Sequence, residues 1–172
     1  MMSITASLGA ILVRDLDTLR MEVEAYPAEA DLWRVVPGIA NSGGTLALHL
    51  AGNIQHFIGA VLGGSGYRRN RDAEFQDRSV PRQEVVEGIH RAIGAVKQTM
   101  SGLNDAVLDD PFPDLVAGVR VKAGDFLIHL VSHTTYHLGQ VDYHRRIVTG
   151  GAPLGGAVSP TRLWSAEKPA AG

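Results

Sequence analysis

Cysteine is absent from this chain of 172 residues. Its absence excludes disulfides, thiolate metal ligands and a cysteine nucleophile. Any nucleophilic sulfur in a reaction would therefore have to come from a substrate. The length is that of one ordinary domain, which buries an adequate core without covalent or metal staples.

An excess of either charge sign is also absent. The chain has 16 basic and 18 acidic side chains, for a net charge of −2, so we expect no nucleic-acid partner. The N-terminal segment "MMSITASLGAILVRDLD" has no basic residue before its short apolar run, unlike a secretory signal. These features predict a cytoplasmic protein.

Charged residues are missing altogether between Arg34 and Arg68. The central run of this stretch, "LALHLAGNIQHFIGAVLGG", contains two histidines, Asn53 and Gln55, which would be costly to bury in lipid. We therefore expect a helix inside a soluble bundle and no membrane partner.

Four long segments carry the apolar spacing of helices, with little strand signal between them. They cover approximately residues 5–26, 42–64, 81–103 and 125–149. The sequence thus predicts an all-α four-helix bundle within residues 1–150, with long connecting loops. Residues 151–172 are rich in Gly, Ala and Pro and predict an extended tail, with Trp164 as its anchor.

Several local features refine this prediction. Ser79 stands two residues before Pro81 and Asp125 stands at the start of the fourth segment, so we expect them to cap the third and fourth helices. Residues 104–124 contain two prolines and short alternating patterns, which are typical of a turn or a brief hairpin.

Four of the seven histidines fall in "FLIHLVSHTTYHLGQVDYH", residues 126–144. His133 and His137 are one helical turn apart on the inward apolar face, and His129 lies at its edge. Two imidazoles at this spacing can bind one divalent cation. No glutamate lies between them, so the general base of the helical zinc proteases is missing.

A third ligand is available on the second helix. His49 and His56 are seven residues apart, two turns along the axis, so one of them at most can be level with a compact site. His49 with His133 and His137 would form a three-imidazole site with an open position. The alternative is that these histidines lie at the core edge and bond carbonyls or water.

The segments "LHLAGNIQHFIG" and "HLVSHTTYHLGQV" resemble the DinB-like (damage-inducible) helical family, over approximately residues 5–149. The resemblance implies a four-helix bundle, often a homodimer, in which His49, His133 and His137 bind a divalent ion, zinc or nickel before others. It also implies a low-molecular-weight thiol as co-substrate. Leu138 departs from the family pattern, in which a basic residue often follows the second histidine.

Other side chains are candidates for supporting roles. His56, His129, Gln140 and His144 are candidates for contacts behind the ligands. Three arginines in "YRRNRDAEFQDR" could clamp an acidic thiol; they are Arg68, Arg69 and Arg71. The alternative is a solvated charge cluster, in which these arginines pair with the neighbouring carboxylates.

Three functions remain open at the level of sequence. The resemblance favours a metal-dependent transferase that activates a low-molecular-weight thiol toward a small-molecule substrate. A metal-dependent hydrolase is the competing enzyme, because a cation can equally lower the pKa of water. The third function is a non-catalytic metal-binding or stress-associated interaction protein.

Overall fold

The computed structural model describes residues 3–168 and is helical throughout most of this range. Within it, only isolated β-bridges and no strands occur. The helices are α1 (Ile4–Glu24), α2 (Glu29–Trp33), α3 (Gly43–Ile54, continued by a π-helix at Gln55–Leu62), α4 (Arg71–Gln76), α5 (Arg82–Met100) and α6 (Ala123–Thr149).

Four long helices, α1, α3, α5 and α6, pack around one core. Helix α1 packs against α5 and α6, and α3 packs against the same two helices. The interior is aliphatic, which follows from apolar residues three and four positions apart on each helix. Its fully buried members include Leu12, Leu16, Leu19, Leu50, Ile54, Ile58, Val85, Ile89, Val96, Leu127 and Val141.

The start of α1 is fixed by two polar side chains. Ser3 caps the helix by accepting a hydrogen bond from the Ala6 amide. Asp105 accepts from the amides of Ile4 and Thr5, both at 2.9 Å. These hydrogen bonds hold the pKa of the Asp105 carboxyl well below its usual range. The link after α5 is thereby tied to the first turn of α1.

Helix α3 and its π-helical continuation form the apolar segment Gly43–Leu62. The length and composition of this segment would allow it to cross a membrane, but 67% of an apolar 18-residue stretch within it is buried inside the protein. In the π-helix the Gly63 amide bonds the Ile58 carbonyl five residues back, and the Thr99 hydroxyl donates to the same carbonyl. Such wide turns are rare and occur frequently at functional sites.

Two predicted caps are wrong. Pro81 occupies the cap position of α5, so Ser79 lies outside the helix. Helix α6 begins at Ala123 after Lys122, which places Asp125 in the first turn, where its charge favours the helix dipole. The end of α6 is as expected, since Gly150 has a φ of 67° in the left-handed region.

The connecting segments contain more structure than their composition predicts. Helices α2 and α4 are short and lie in stretches interpreted as loops. Residues 104–124 contain a short helical turn and two antiparallel bridges, Pro111 with Lys122 and Val116 with Val119. The bridges form a small hairpin-like turn that leads into α6.

Polar contacts attach the segment after α6 to α1. The Arg162 guanidinium donates to the carboxylate of Asp17 and to the hydroxyl of Thr18, both at 2.8 Å. The Thr18 hydroxyl also bonds the Ala157 carbonyl. Trp164 remains 59% exposed. Trp164 lines a groove between α1 and α5, and Arg162 supplies polar contacts of this segment with α1.

Candidate metal centre

Three histidines from two helices lie together between α3 and α6. One ring nitrogen from each of His49, His133 and His137 lies within 4.8 Å of the corresponding nitrogens of the other two, so the group could hold a metal ion. His49 is buried on α3, and the other two are half-buried on consecutive turns of α6. The HxxxH spacing and the packing of α3 on α6 together form this group.

A buried carboxylate orients His49. Nδ1 of this ring lies 3.1 Å from Oε2 of Glu74, on α4. Arg69 donates two hydrogen bonds of 2.7 Å to the same carboxylate. Burial opposes ionisation of Glu74, but these hydrogen bonds prevail and lower its pKa. Because an ionised carboxylate only accepts, Nδ1 of His49 carries the proton and Nε2 keeps its lone pair.

The close approach of Glu74 depends on Gly52, two residues before the end of α3. A Cβ atom at position 52 would collide with Oε1 of Glu74. The His49 ring is also packed by Phe75, with ring centroids 4.8 Å apart. Helix α4 thus supplies both the carboxylate and an apolar wall for the first histidine.

A second polar side chain orients His137. Its Nδ1 lies 2.6 Å from Oε1 of Gln140, one turn further along α6. An amide oxygen accepts hydrogen bonds, so Nδ1 of His137 is the donor and Nε2 is left with its lone pair. Burial lowers the pKa of His137, which keeps the ring neutral at pH 7.

His133 lies between the other two rings. Its Nε2 is 3.3 Å from Nε2 of His49, and its ring centroid is 4.6 Å from that of His137. Burial, then the positive charge of the neighbouring imidazoles when protonated, lowers the pKa of His133 to about 4. Its Nδ1 is buried without a hydrogen-bond partner. The exposed His129 ring stacks on it at 5.7 Å.

The donor set could hold a divalent metal ion. Two nitrogens bonded to one tetrahedral zinc lie roughly 3.3 Å apart, given bond lengths of about 2.0–2.1 Å. The Nε2 atoms of His49 and His133 have this separation, 3.3 Å. Two of the three rings are fixed in the tautomer that leaves Nε2 free, and three imidazoles leave at least one coordination position open.

Comparison with known proteins gives one result. The model of a family described as "Protein of unknown function (DUF1572)" matches residues 17–152, which include all three histidines. The chain belongs to the DUF1572 family. No curated protein and no solved structure matches the chain significantly.

In this DUF1572 protein the four candidate supporting residues have unequal roles. Gln140 bonds His137, and His129 stacks on His133. His144 is occupied elsewhere: the Tyr26 hydroxyl donates to its Nδ1, and its Nε2 donates to the Arg34 carbonyl. His56 packs against Phe57, with ring centroids 4.7 Å apart. Two of the four candidates therefore contact a member of the triad.

The three arginines have different surroundings. Arg69 is engaged with Glu74, and its side chain is 11% exposed. Arg71 lies over the Phe75 ring, 5.0 Å from its centroid, and Arg68 is exposed. For Arg69 the pairing with a neighbouring carboxylate, weighed as the alternative, is what the structure contains.

Sequence reasoning missed Glu74 as a contact of His49. The neighbouring carboxylates Asp72 and Asp77 are exposed, as a solvated charge cluster predicts, but Glu74 is buried. The sequence contains one indication of this contact: Glu74 follows Arg69 by five residues and lies soon after the charge-free helix that carries His49. Nothing in that spacing shows that α4 folds back onto His49.

Proposed function

We propose that this chain is a DinB-like four-helix bundle protein that binds a divalent cation through His49, His133 and His137. In this proposal the cation activates a low-molecular-weight thiol for transfer to a small electrophilic substrate. The observation that carries the metal site is the convergence of three ring nitrogens within 4.8 Å, from helices separated by 60 residues of chain or more.

The chain's own residues prepare the site for a cation. Glu74 and Gln140 hold the Nδ1–H groups of His49 and His137, which leaves their Nε2 lone pairs free. The lowered pKa of His133 keeps this ring neutral, and a neutral imidazole is the form that binds metal. When bound, a divalent cation would lower the pKa of a thiol or of water brought to the open position.

The transfer step balances without a further co-reactant. The thiol loses its proton to solvent, and the sulfur forms a bond to the electrophilic carbon of the substrate. The bond from that carbon to its leaving group breaks, and the leaving group departs with the electron pair. The absence of cysteine is consistent with this proposal, because the sulfur is supplied by the co-substrate.

Zinc or nickel is the cation that we propose. Imidazole ligands suit zinc, copper, iron and nickel better than magnesium or calcium, which prefer oxygen. We further propose that the protein is cytoplasmic and forms a homodimer. Tyr136, Tyr143 and Ile147 support a dimer, since these α6 side chains are 56–65% exposed.

The metal site is tested by metal analysis of the freshly purified protein. We expect about one zinc or nickel ion per chain in the wild type and in His90→Ala, whose ring is exposed on α5. The variant His49→Ala should lose most of the metal. Equal metal content in the two variants would refute the three-histidine site.

The reaction is tested separately with the metal-loaded protein. A thiol-consumption assay with an alkyl or aryl halide should show turnover that disappears in His133→Ala. Release of p-nitrophenol from an ester, without thiol consumption, would favour the hydrolase instead. Bound metal without turnover in either assay would favour the non-catalytic protein.

A further inference from the structure

A groove of about 620 Å³ lies between α1 and α5, whereas the three histidines are on α3 and α6. Its volume is within the range of small-molecule sites, about 300–1,000 Å³. Most of its lining is apolar, with small or aliphatic side chains and one thioether; these residues are Ala6, Ala10, Val13, Ile93, Val96 and Met100. The groove is therefore separate from the candidate metal centre.

The two helices run antiparallel along the groove. A Cβ atom at Gly9 would lie 2.9 Å from Cβ of Met100, so α1 and α5 approach closely at this level. The carboxylate of Asp105, soon after α5, bonds the amides at the start of α1. Along the axes, Arg14 on α1 lies about 7.5 Å from this level and Lys97 on α5 about 4.5 Å from it, in the same direction. Both cations line the groove, at nearly the same height.

The α1 wall contains an arginine that is mostly buried and keeps unused donors. The side chain of Arg14 is 12% exposed, and its Nε and Nη2 atoms lie 2.8 and 2.7 Å from the same oxygen of Asp15. The other oxygen of Asp15 accepts from the Thr135 hydroxyl. Within residues 3–168, Nη1 of Arg14 makes no hydrogen bond. A guanidinium with free N–H groups beside an apolar groove is suited to a carboxylate.

The α5 wall adds a positive charge without a counterion. Arg162 and Asp17, which also line the groove, pair with each other at 2.8 Å, and the charge of Arg14 is matched by Asp15. Lys97 has no ion pair within the described part of the chain, and no acidic residue lies three or four positions from it on α5. The groove therefore has an excess of positive charge and favours an anion.

An exposed indole borders the same groove. Trp164 lines it although the side chain is 59% exposed, and the contacts of Arg162 with α1 hold this segment in place. An exposed aromatic ring at the edge of a cavity provides a surface for an apolar ligand. From Arg14 back to Ala6 the groove follows α1 for eight residues, about 12 Å. This length accommodates an extended apolar body beside the two cations.

We propose that this groove binds aliphatic monocarboxylates of medium chain length. The carboxylate accepts hydrogen bonds from Nη1 of Arg14 and from the Lys97 ammonium. The chain packs along the aliphatic lining and against Trp164. The inference goes beyond the proposed function, because neither the metal nor a thiol takes part in this binding.

The test is calorimetric titration of the full chain in EDTA, so that no metal competes for the carboxylate. The probes are octanoate, octylammonium and butyrate, which differ in charge or in chain length. We expect octanoate to bind about tenfold more tightly than octylammonium, because only the anion accepts from the two cations. Butyrate should bind at least about tenfold more weakly than octanoate, because it lacks four methylene groups.

Three variants assign the binding to the groove. Lys97→Gln should reduce octanoate affinity about threefold to tenfold without a change in Tm, since this exposed lysine has no ion pair to lose. Ala10→Phe should fill the groove and abolish binding. Trp164→Ala should weaken octanoate and octylammonium equally, because it removes only apolar contact. The control is Lys122→Gln, an exposed lysine just before α6, which should bind octanoate like the wild type.

The outcomes that would overturn the inference are distinct from a failure of the metal site. Equal affinities of the wild type for octanoate and octylammonium would overturn it, and so would unchanged octanoate affinity in Lys97→Gln and Ala10→Phe. Sedimentation gives a further check, since a dimer that is lost in Ala10→Phe and unaffected by octanoate would assign the groove to a second copy of the chain. His49→Ala, which should lose metal, should still bind octanoate like the wild type.

Discussion

The carboxylate of Glu74 lies 3.1 Å from Nδ1 of His49, although the two residues are on different helices. This contact determines the tautomer of a buried imidazole, and hence the nitrogen that faces His133 and His137. The polar groups behind the three histidines should affect metal binding, and the buried polar pairs of the interior should affect folding stability.

Removal of the negative charge at position 74 should weaken metal binding. Glu74→Gln keeps the size of the side chain but accepts a hydrogen bond more weakly, and it leaves Arg69 without its ion pair. We expect a loss of about 10- to 100-fold in Zn²⁺ affinity, measured by competition with a chromogenic chelator. Glu84→Gln, which changes an exposed glutamate of α5, is the matched control. Equal affinities would contradict the role of Glu74.

Zn²⁺ affinity should depend on the hydrogen-bond acceptor at position 140 more than on the charge of that side chain. Gln140→Leu removes the acceptor that lies 2.6 Å from Nδ1 of His137, so Zn²⁺ affinity should fall by about tenfold. Gln140→Glu retains an oxygen in reach and should bind Zn²⁺ at least as well as the wild type. The same chelator titration compares the three proteins. An unchanged affinity in the leucine variant would show that the hydrogen bond does not orient the ring.

The buried ion pair of Arg145 and Glu22 predicts a strong effect on stability. Their side chains are 4% and 1% exposed. In Arg145→Met the carboxylate of Glu22 loses its partner, so unfolding in urea at pH 7 should show a loss of about 3–5 kcal/mol. The double variant Glu22→Leu/Arg145→Met should recover most of this loss, because no unpaired charge remains.

The pH dependence of the same variant has a definite sign. Burial raises the pKa of Glu22 even with Arg145 present, and removal of the arginine raises it further. Protonation of Glu22 removes the unpaired charge, so the penalty of Arg145→Met should be largest at pH 7 and smaller near pH 5. A penalty that is constant between these pH values would contradict this explanation.

His144 should make the metal-free protein less stable in acid. Burial lowers its pKa below the ordinary value, against the hydrogen bond to the Arg34 carbonyl. The folded protein therefore binds fewer protons than the unfolded chain, and stability falls as the pH decreases through about 6.5. In EDTA, the Tm of the wild type should fall more between pH 8 and pH 5 than that of His144→Gln. The exposed control His90→Gln should follow the wild type.

Sequence periodicity was sufficient for the four long helices and for the placement of His133 and His137 on one face of α6. Apolar spacing determines which face of α6 turns inward, and His133 and His137 are part of that face. The spacing of His49 and His56 excluded that both are level with one compact site, and the family pattern selected His49. The helices and the pair on α6 depend on short-range geometry, which a helix fixes at every residue, whereas the choice of His49 depended on the resemblance.

The polar groups around the site could not be found in this way. Glu74 and Arg69 reach His49 because α4 folds back onto α3, and a six-residue polar helix carries little periodic signal. The π-helix at Gln55–Leu62 could not be predicted either, because its composition is the same as that of an apolar α-helix. Its wider turns are maintained by tertiary contacts such as the bond from Thr99 to the Ile58 carbonyl.

Metal binding also depends on Gly52, although this residue is not a ligand. A methyl group at this position would push the Glu74 carboxylate away from His49, and the ring would be free to rotate or to exchange tautomers. Relatives that keep all three histidines but carry a larger residue here would be expected to bind metal more weakly. The residue at position 52 should therefore be compared, together with the three histidines, before a relative is taken to bind metal.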